Sequence, residues 1–188
     1  MPRRSAIALP LVVVAGFAWL AGCSSTTGLP AANIINTVDT VSLYALNDGI
    51  VTNPSAFALQ GAQRVRTDQS GVFDFAFTFD AQRRPVLLPT QPLGLGTFSS
   101  LQRATASFDA ITTAPTSGWQ LDSGVVADTG AVVLVSSRPL TCFTGVTVSL
   151  YAKLRVLTVD TTGKRLDFAI LIDQNCGYRG LQPGLPTH

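Results

Sequence analysis

From residue 72 to residue 80 the chain alternates without a break. Phe73, Phe75, Phe77 and Phe79 fall on one side, and Asp74, Ala76, Thr78 and Asp80 on the other. A period of two sends successive side chains to opposite faces of a strand. The stretch therefore predicts a strand with one ring-lined, buried face. Nearer the C-terminus the same pattern runs longer. Val146, Val148, Leu150, Ala152, Leu154 and Val156 make one face, and Leu166, Phe168, Ile170 and Ile172 make its counterpart. Asp160-Thr161-Thr162-Gly163-Lys164 lies between them. It suits a three-residue hairpin loop with Gly163 at the left-handed position of a bulge. Pairing Asp160 with Lys164 sets Val156 against Phe168, Leu154 against Ile170 and Ala152 against Ile172. Lys153 and Arg155 then fall diagonal to Asp167 and Asp173 on the outer face. This hairpin is the predicted structural centre.

Shorter apolar runs, bounded by Gly, Pro, Asn and Asp, predict strands near 41–45, 56–59, 63–67, 85–88, 119–121, 125–127 and 131–135. Asn47-Asp48-Gly49 and Asp128-Thr129-Gly130 read as turns. Residues 89–96 (PTQPLGLG) are expected to be irregular, Ser99-Ser100 to cap a helical turn or two, and 107–111 to form a strand. Composition strengthens the β reading. All eleven acidic residues are Asp, Glu is absent and Lys occurs twice. Asp suits turns, whereas Glu and Lys favour helices. The expected fold is mostly β: an antiparallel β-sandwich or barrel-like domain with a long C-terminal hairpin and at most one short helix.

The front of the chain carries a different pattern. Arg3 and Arg4 precede an apolar run from Ile7 to Ala21, and Leu20-Ala21-Gly22-Cys23 is followed by Ser24-Ser25. A charged start, a short apolar run and small residues at the cut describe a secretory signal peptide. A membrane-spanning helix wants about 20 apolar residues; this run is shorter and is interrupted by Pro10 and Gly16. The Leu-Ala-Gly-Cys ending resembles the lipobox of bacterial lipoproteins. That resemblance implies cleavage before Cys23, lipidation of its thiol and acylation of the new N-terminus. Two acyl chains already suffice for stable attachment. Ser24, where an Asp would favour inner-membrane retention, implies an outer-membrane protein facing the periplasm. On this reading 1–22 is the signal peptide, 23–36 a lipidated tether, 37–180 one β-domain and 181–188 an irregular tail.

Removing the signal also changes the charge. The formal +2 includes Arg3 and Arg4, and the remaining eleven Lys and Arg balance eleven Asp. No basic stripe with interleaved aromatics is present, which argues against nucleic acid. Cys142 and Cys176 remain as an even pair in an oxidising compartment, so a disulfide is expected. The hairpin register sets Cys176 opposite Val148, so the chain must bend near Thr144-Gly145 or turn back at Gly177. No metal or other cofactor is implied: the only His is His188, and no Cys-x-x-Cys occurs.

One motif carries candidate chemistry. Residues 125–132 (VVADTGAV) resemble the active-site loop of retropepsin-like aspartic proteases, which would make Asp128 the catalytic acid. In that family two such Asp share a proton. A second Asp-Thr-Gly is missing, so a homodimer would be required, and the motif lies late in the chain. An ordinary turn accounts for the same residues. The preferred reading is a non-catalytic, lipid-anchored β-domain that binds an envelope protein partner as an assembly or accessory subunit. The alternative is a carrier whose half-barrel holds an acyl chain or another hydrophobic ligand. The two differ in whether the Phe face meets a second sheet or an open space.

Overall fold

The computed structural model describes residues 30–47, 50–142 and 145–186. Cys23, the lipobox and half of the Asn47-Asp48-Gly49 turn lie outside them. Twelve strands follow in order: β1 (Val38–Tyr44), β2 (Ala56–Ala58), β3 (Gln63–Val65), β4 (Phe75–Phe79), β5 (Pro85–Leu88), β6 (Ser100–Ala104), β7 (Val125–Val126), β8 (Val132–Ser136), β9 (Leu140–Thr141), β10 (Thr147–Val148), β11 (Tyr151–Asp160) and β12 (Arg165–Asp173). One five-stranded antiparallel sheet has the order β1-β12-β11-β8-β6, the other β3-β2-β4-β5-β7. β9 and β10 form a small separate hairpin. The expected β-sandwich is the fold.

The inner faces meet through aromatic rings. Phe57 and Phe75 on one sheet pack on Phe168 of the other, with ring centroids 5.6 to 6.1 Å apart. Leu43, Leu87, Val133, Leu154 and Ile170 complete the core around them. Full burial of such a side chain contributes about 2–3 kcal/mol, so this layer supplies much of the driving force. Phe73 departs from its expected face. The chain bends at Asp74, β4 begins only at Phe75, and Phe73 joins Ala56 and Ala76 in a separate outer cluster.

The C-terminal hairpin keeps its core pairs, Val156–Phe168, Leu154–Ile170 and Ala152–Ile172, by another route. Asp160 pairs with Arg165, which makes the loop four residues long, and an irregularity at Leu157 restores the register. The left-handed residue of the loop is Lys164 at φ 49°, where Gly163 was expected. Lys153 is not on a solvated face beside Asp167 and Asp173. It is buried, and its Nζ donates to Phe108 O at 2.7 Å and Ile111 O at 2.9 Å. Burial pushes its pKa below the ordinary lysine value, against the pull of Asp109. Arg155 stacks on the Phe108 ring, Asp167 pairs with Arg165, and Asp173 accepts hydrogen bonds from Asn175.

The segment expected to hold a strand at 107–111 is instead a cover. Phe108, Ile111 and Ala114 lie with Leu181 over Val132, Leu134 and Leu171, on the outer face of the first sheet. Ser99-Ser100 leads into β6, and the one short helical turn among the described residues, a 3-10 turn, falls at Gln91–Leu93. Residues 119–121 contribute a single bridge, Gln120 to Leu101. Both ends of the described residues are stitched to the domain. Asn36 and Gly184 exchange backbone hydrogen bonds of 2.8 and 3.0 Å. Asn33 N–H and Ile34 N–H both donate to Asn175 Oδ1. Tyr178 Oη donates to Pro30 O. Bonds within the described residues thus reach Pro30, inside the stretch read as tether, and Gly184, inside the stretch read as an irregular tail.

Candidate functional site

The bend that displaces Phe73 also buries Asp74. This carboxylate is 1% exposed. Its Oδ2 accepts the Leu59 N–H at 2.7 Å, and its Oδ1 accepts the Arg138 N–H at 2.7 Å, with the Arg138 guanidinium at 3.7 Å. Burial pushes the Asp74 pKa above the ordinary carboxylate value, opposed by those N–H groups and by the Arg138 charge. Arg138 also donates to Gly71 O and Phe73 O. One buried ion pair thus ties the loop after β2, the approach to β4 and the exit from β8 together.

Above this floor opens a cleft of about 540 Å³, within the range of ligand sites. Its walls include Arg64 and Arg66, Gln60, Gln63 and Gln69, with Arg138 at its base. Arg66 is held by Asp68 through two hydrogen bonds, 3.2 and 2.7 Å. The Arg66 hydrogen bond holds Asp68 below its usual pKa. Arg64 is exposed and makes no ion pair among the described residues. Guanidinium and amide N–H groups are donors with planar geometry, suited to carboxylate or phosphate oxygens. The sequence reading missed this site. Arg64 lies in β3 and Arg66 directly follows it, a spacing of two that is a local signal, but Arg138 lies far along the chain.

The sequence-derived candidates lie elsewhere. Cys142 and Cys176 form a disulfide with Cα atoms 6.1 Å apart. Both anticipated bends contribute: Gly145 and Gly177 have φ of 76° and 79°. The first strand of the expected hairpin breaks there, with β10 turning back on β9 before β11 begins. Asp128 is exposed at a corner that carries the chain from β7 in one sheet to β8 in the other. It is not in a hairpin turn. Its backbone carbonyl accepts the Ala131 N–H at 2.8 Å, while the Gly130 N–H donates to Val156 O at 2.9 Å.

This corner yields a contrast between two substitutions. Gly130 has φ +83° and open space where a Cβ would stand. Gly130→Val therefore meets only the backbone penalty of the left-handed region, about 1–2 kcal/mol. Asp128→Asn is expected to stay within about 0.5 kcal/mol of the parent, as exposed substitutions do. Urea unfolding of the two variants measures both.

Comparison of the chain with protein-family models, with curated proteins and with solved structures returns no match.

Proposed function

We propose that this chain is a lipid-anchored envelope domain that acts by binding, as an assembly or accessory subunit, and that the arginine cleft takes an anionic group of its partner. The observation carrying this reading is where the sandwich leaves room. Its ring-lined face closes on the other sheet, with Phe75 and Phe168 centroids 6.0 Å apart. A ligand-sized recess lies outside, walled by Arg64, Arg66 and glutamine amides. A carrier of acyl chains would need the ring-lined face to border a space, so the packing favours the surface-binding reading. The anchor rests on Leu20-Ala21-Gly22-Cys23, and it places the domain at a membrane of the envelope.

The test is purification from native membranes in mild detergent, with mass spectrometry of the co-purifying proteins. Arg64→Ala/Arg66→Ala spares the buried Arg138–Asp74 pair. Losing charge-assisted hydrogen bonds of this kind is expected to lower partner recovery about tenfold. Partner recovery independent of both arginines would place the contact elsewhere. A purified protein whose turnover of a substrate follows Asp128 would replace binding with catalysis.

A further inference from the structure

The two ends of the sandwich differ in charge. At one end the β4–β5 turn brings Asp80, Arg83 and Arg84, and the β11–β12 turn brings Asp160 and Lys164. Asn47 links these turns, accepting from Lys164 Nζ at 2.7 Å and donating to Phe79 O at 3.3 Å. Residues 30–38, 140–142, 145–152 and 174–186 lie at the other end, beside Arg138 and the arginine cleft. These segments contain one charged residue, Arg179, and no acid. Arg179 is spent within the domain, on the carbonyls of Ala114 and Pro115 and on Tyr151 Oη. Of the acids bordering these segments, Asp173 is fully buried and Asp39, next to Val38, is exposed.

This end exposes aliphatic side chains. Ile35 is 62% exposed, Leu185 58%, Val38 46%, Ile34 45% and Val146 44%, five of the eleven large apolar residues that face solvent. The Asn36–Gly184 bridge makes Ile35 and Leu185 neighbours across the antiparallel pair. Exposed apolar residues at the other end sit in different company: Ile50 and Val51 share a recess with Asp68.

The chain enters the domain at this same end, at Pro30, whose carbonyl meets Tyr178. Cys23 lies seven residues earlier. Seven residues span at most about 25 Å when fully extended. The nine residues of β12 cover about 30 Å at 3.3 Å per residue. A lipid on Cys23 therefore holds this end nearer the bilayer than the β4–β5 and β11–β12 turns can come without inverting the domain.

We infer that the end of the sandwich carrying Ile34, Ile35, Val38, Val146 and Leu185 rests on the lipid bilayer, and that the charged turns point away from it. This rests on lipidation of Cys23. Exposed aliphatic side chains gain by entering the headgroup–acyl boundary, and the short anchor keeps them there.

The experiment reconstitutes the membrane-extracted protein into vesicles of phosphatidylethanolamine and phosphatidylglycerol containing a diazirine-tagged phosphatidylcholine. Illumination is followed by peptide mapping. Lipid adducts are expected on peptides covering 31–38 and 182–186, about tenfold over those covering 80–84 and 160–164, since interfacial burial reaches only the apolar face. In Ile34→Asn/Ile35→Asn/Leu185→Asn, which alters exposed positions only, those adducts are expected to fall severalfold while the Cys23 peptide stays acylated. Acylated Cys23 with adducts spread evenly, or unchanged in the triple variant, overturns the docking and leaves the anchor standing. An unacylated Cys23 peptide overturns both.

Discussion

Asp74→Ala is expected to cost the domain about 3–5 kcal/mol, the range for removing one partner of a buried ion pair. The substitution orphans the Leu59 and Arg138 N–H groups and leaves the Arg138 guanidinium without its counter-charge in a largely covered site. For a domain of this size the melting temperature falls by roughly 10 °C. Asp74→Asn keeps one carbonyl acceptor and is expected to lose less. Its pH dependence has a definite sign. Burial raises the folded-state pKa above the ordinary carboxylate value of 3.8. Between these two values the folded chain holds a proton that the unfolded chain has released. The stability so gained is complete below 3.8 and disappears as pH rises through the raised value. The advantage of the parent over Asp74→Asn therefore widens as pH falls from neutral toward 4. Urea unfolding at a series of pH values measures it, and an advantage that narrows on acidification would contradict the burial argument.

Loss of the disulfide is the second large effect. Cys142 and Cys176 are 34 residues apart in sequence. Freeing a loop of that size is worth about 4 kcal/mol on the chain-entropy view. Cys142→Ser/Cys176→Ser is expected to lower the urea midpoint accordingly, and the oxidised parent is expected to match it only after reduction. The effect is also local. The disulfide anchors the β9–β10 hairpin beside Asn175 and Tyr178, which hold residues 30–34. Faster hydrogen exchange in that N-terminal segment is expected to accompany the loss.

Strict alternation made the strands legible. Phe75 and Phe77, and the pairs from Ala152–Ile172 to Val156–Phe168, stand where their period of two placed them. What failed was counting around irregularities. The Leu157 bulge absorbs the residue that the longer loop adds, so the core register is recovered although the Asp160–Lys164 pairing and the left-handed Gly163 are not. Phe73 fits the alternation perfectly, yet the bend at Asp74 turns it to the other side. Lys153 alternates onto an outer face that looked solvated, because its cover comes from residues 108–114, more than forty positions away. The cleft was illegible for the same reason. Its floor joins Asp74 to Arg138, and no local pattern announces a contact between them.

Every argument about where this domain sits depends on Cys23. The decisive measurement is the intact mass of the membrane-extracted protein, with fragmentation of its N-terminal peptide. A chain beginning at Cys23 and carrying acyl chains is the expected result. A chain still beginning at Met1, or a Cys23 without lipid, would contradict the anchored domain.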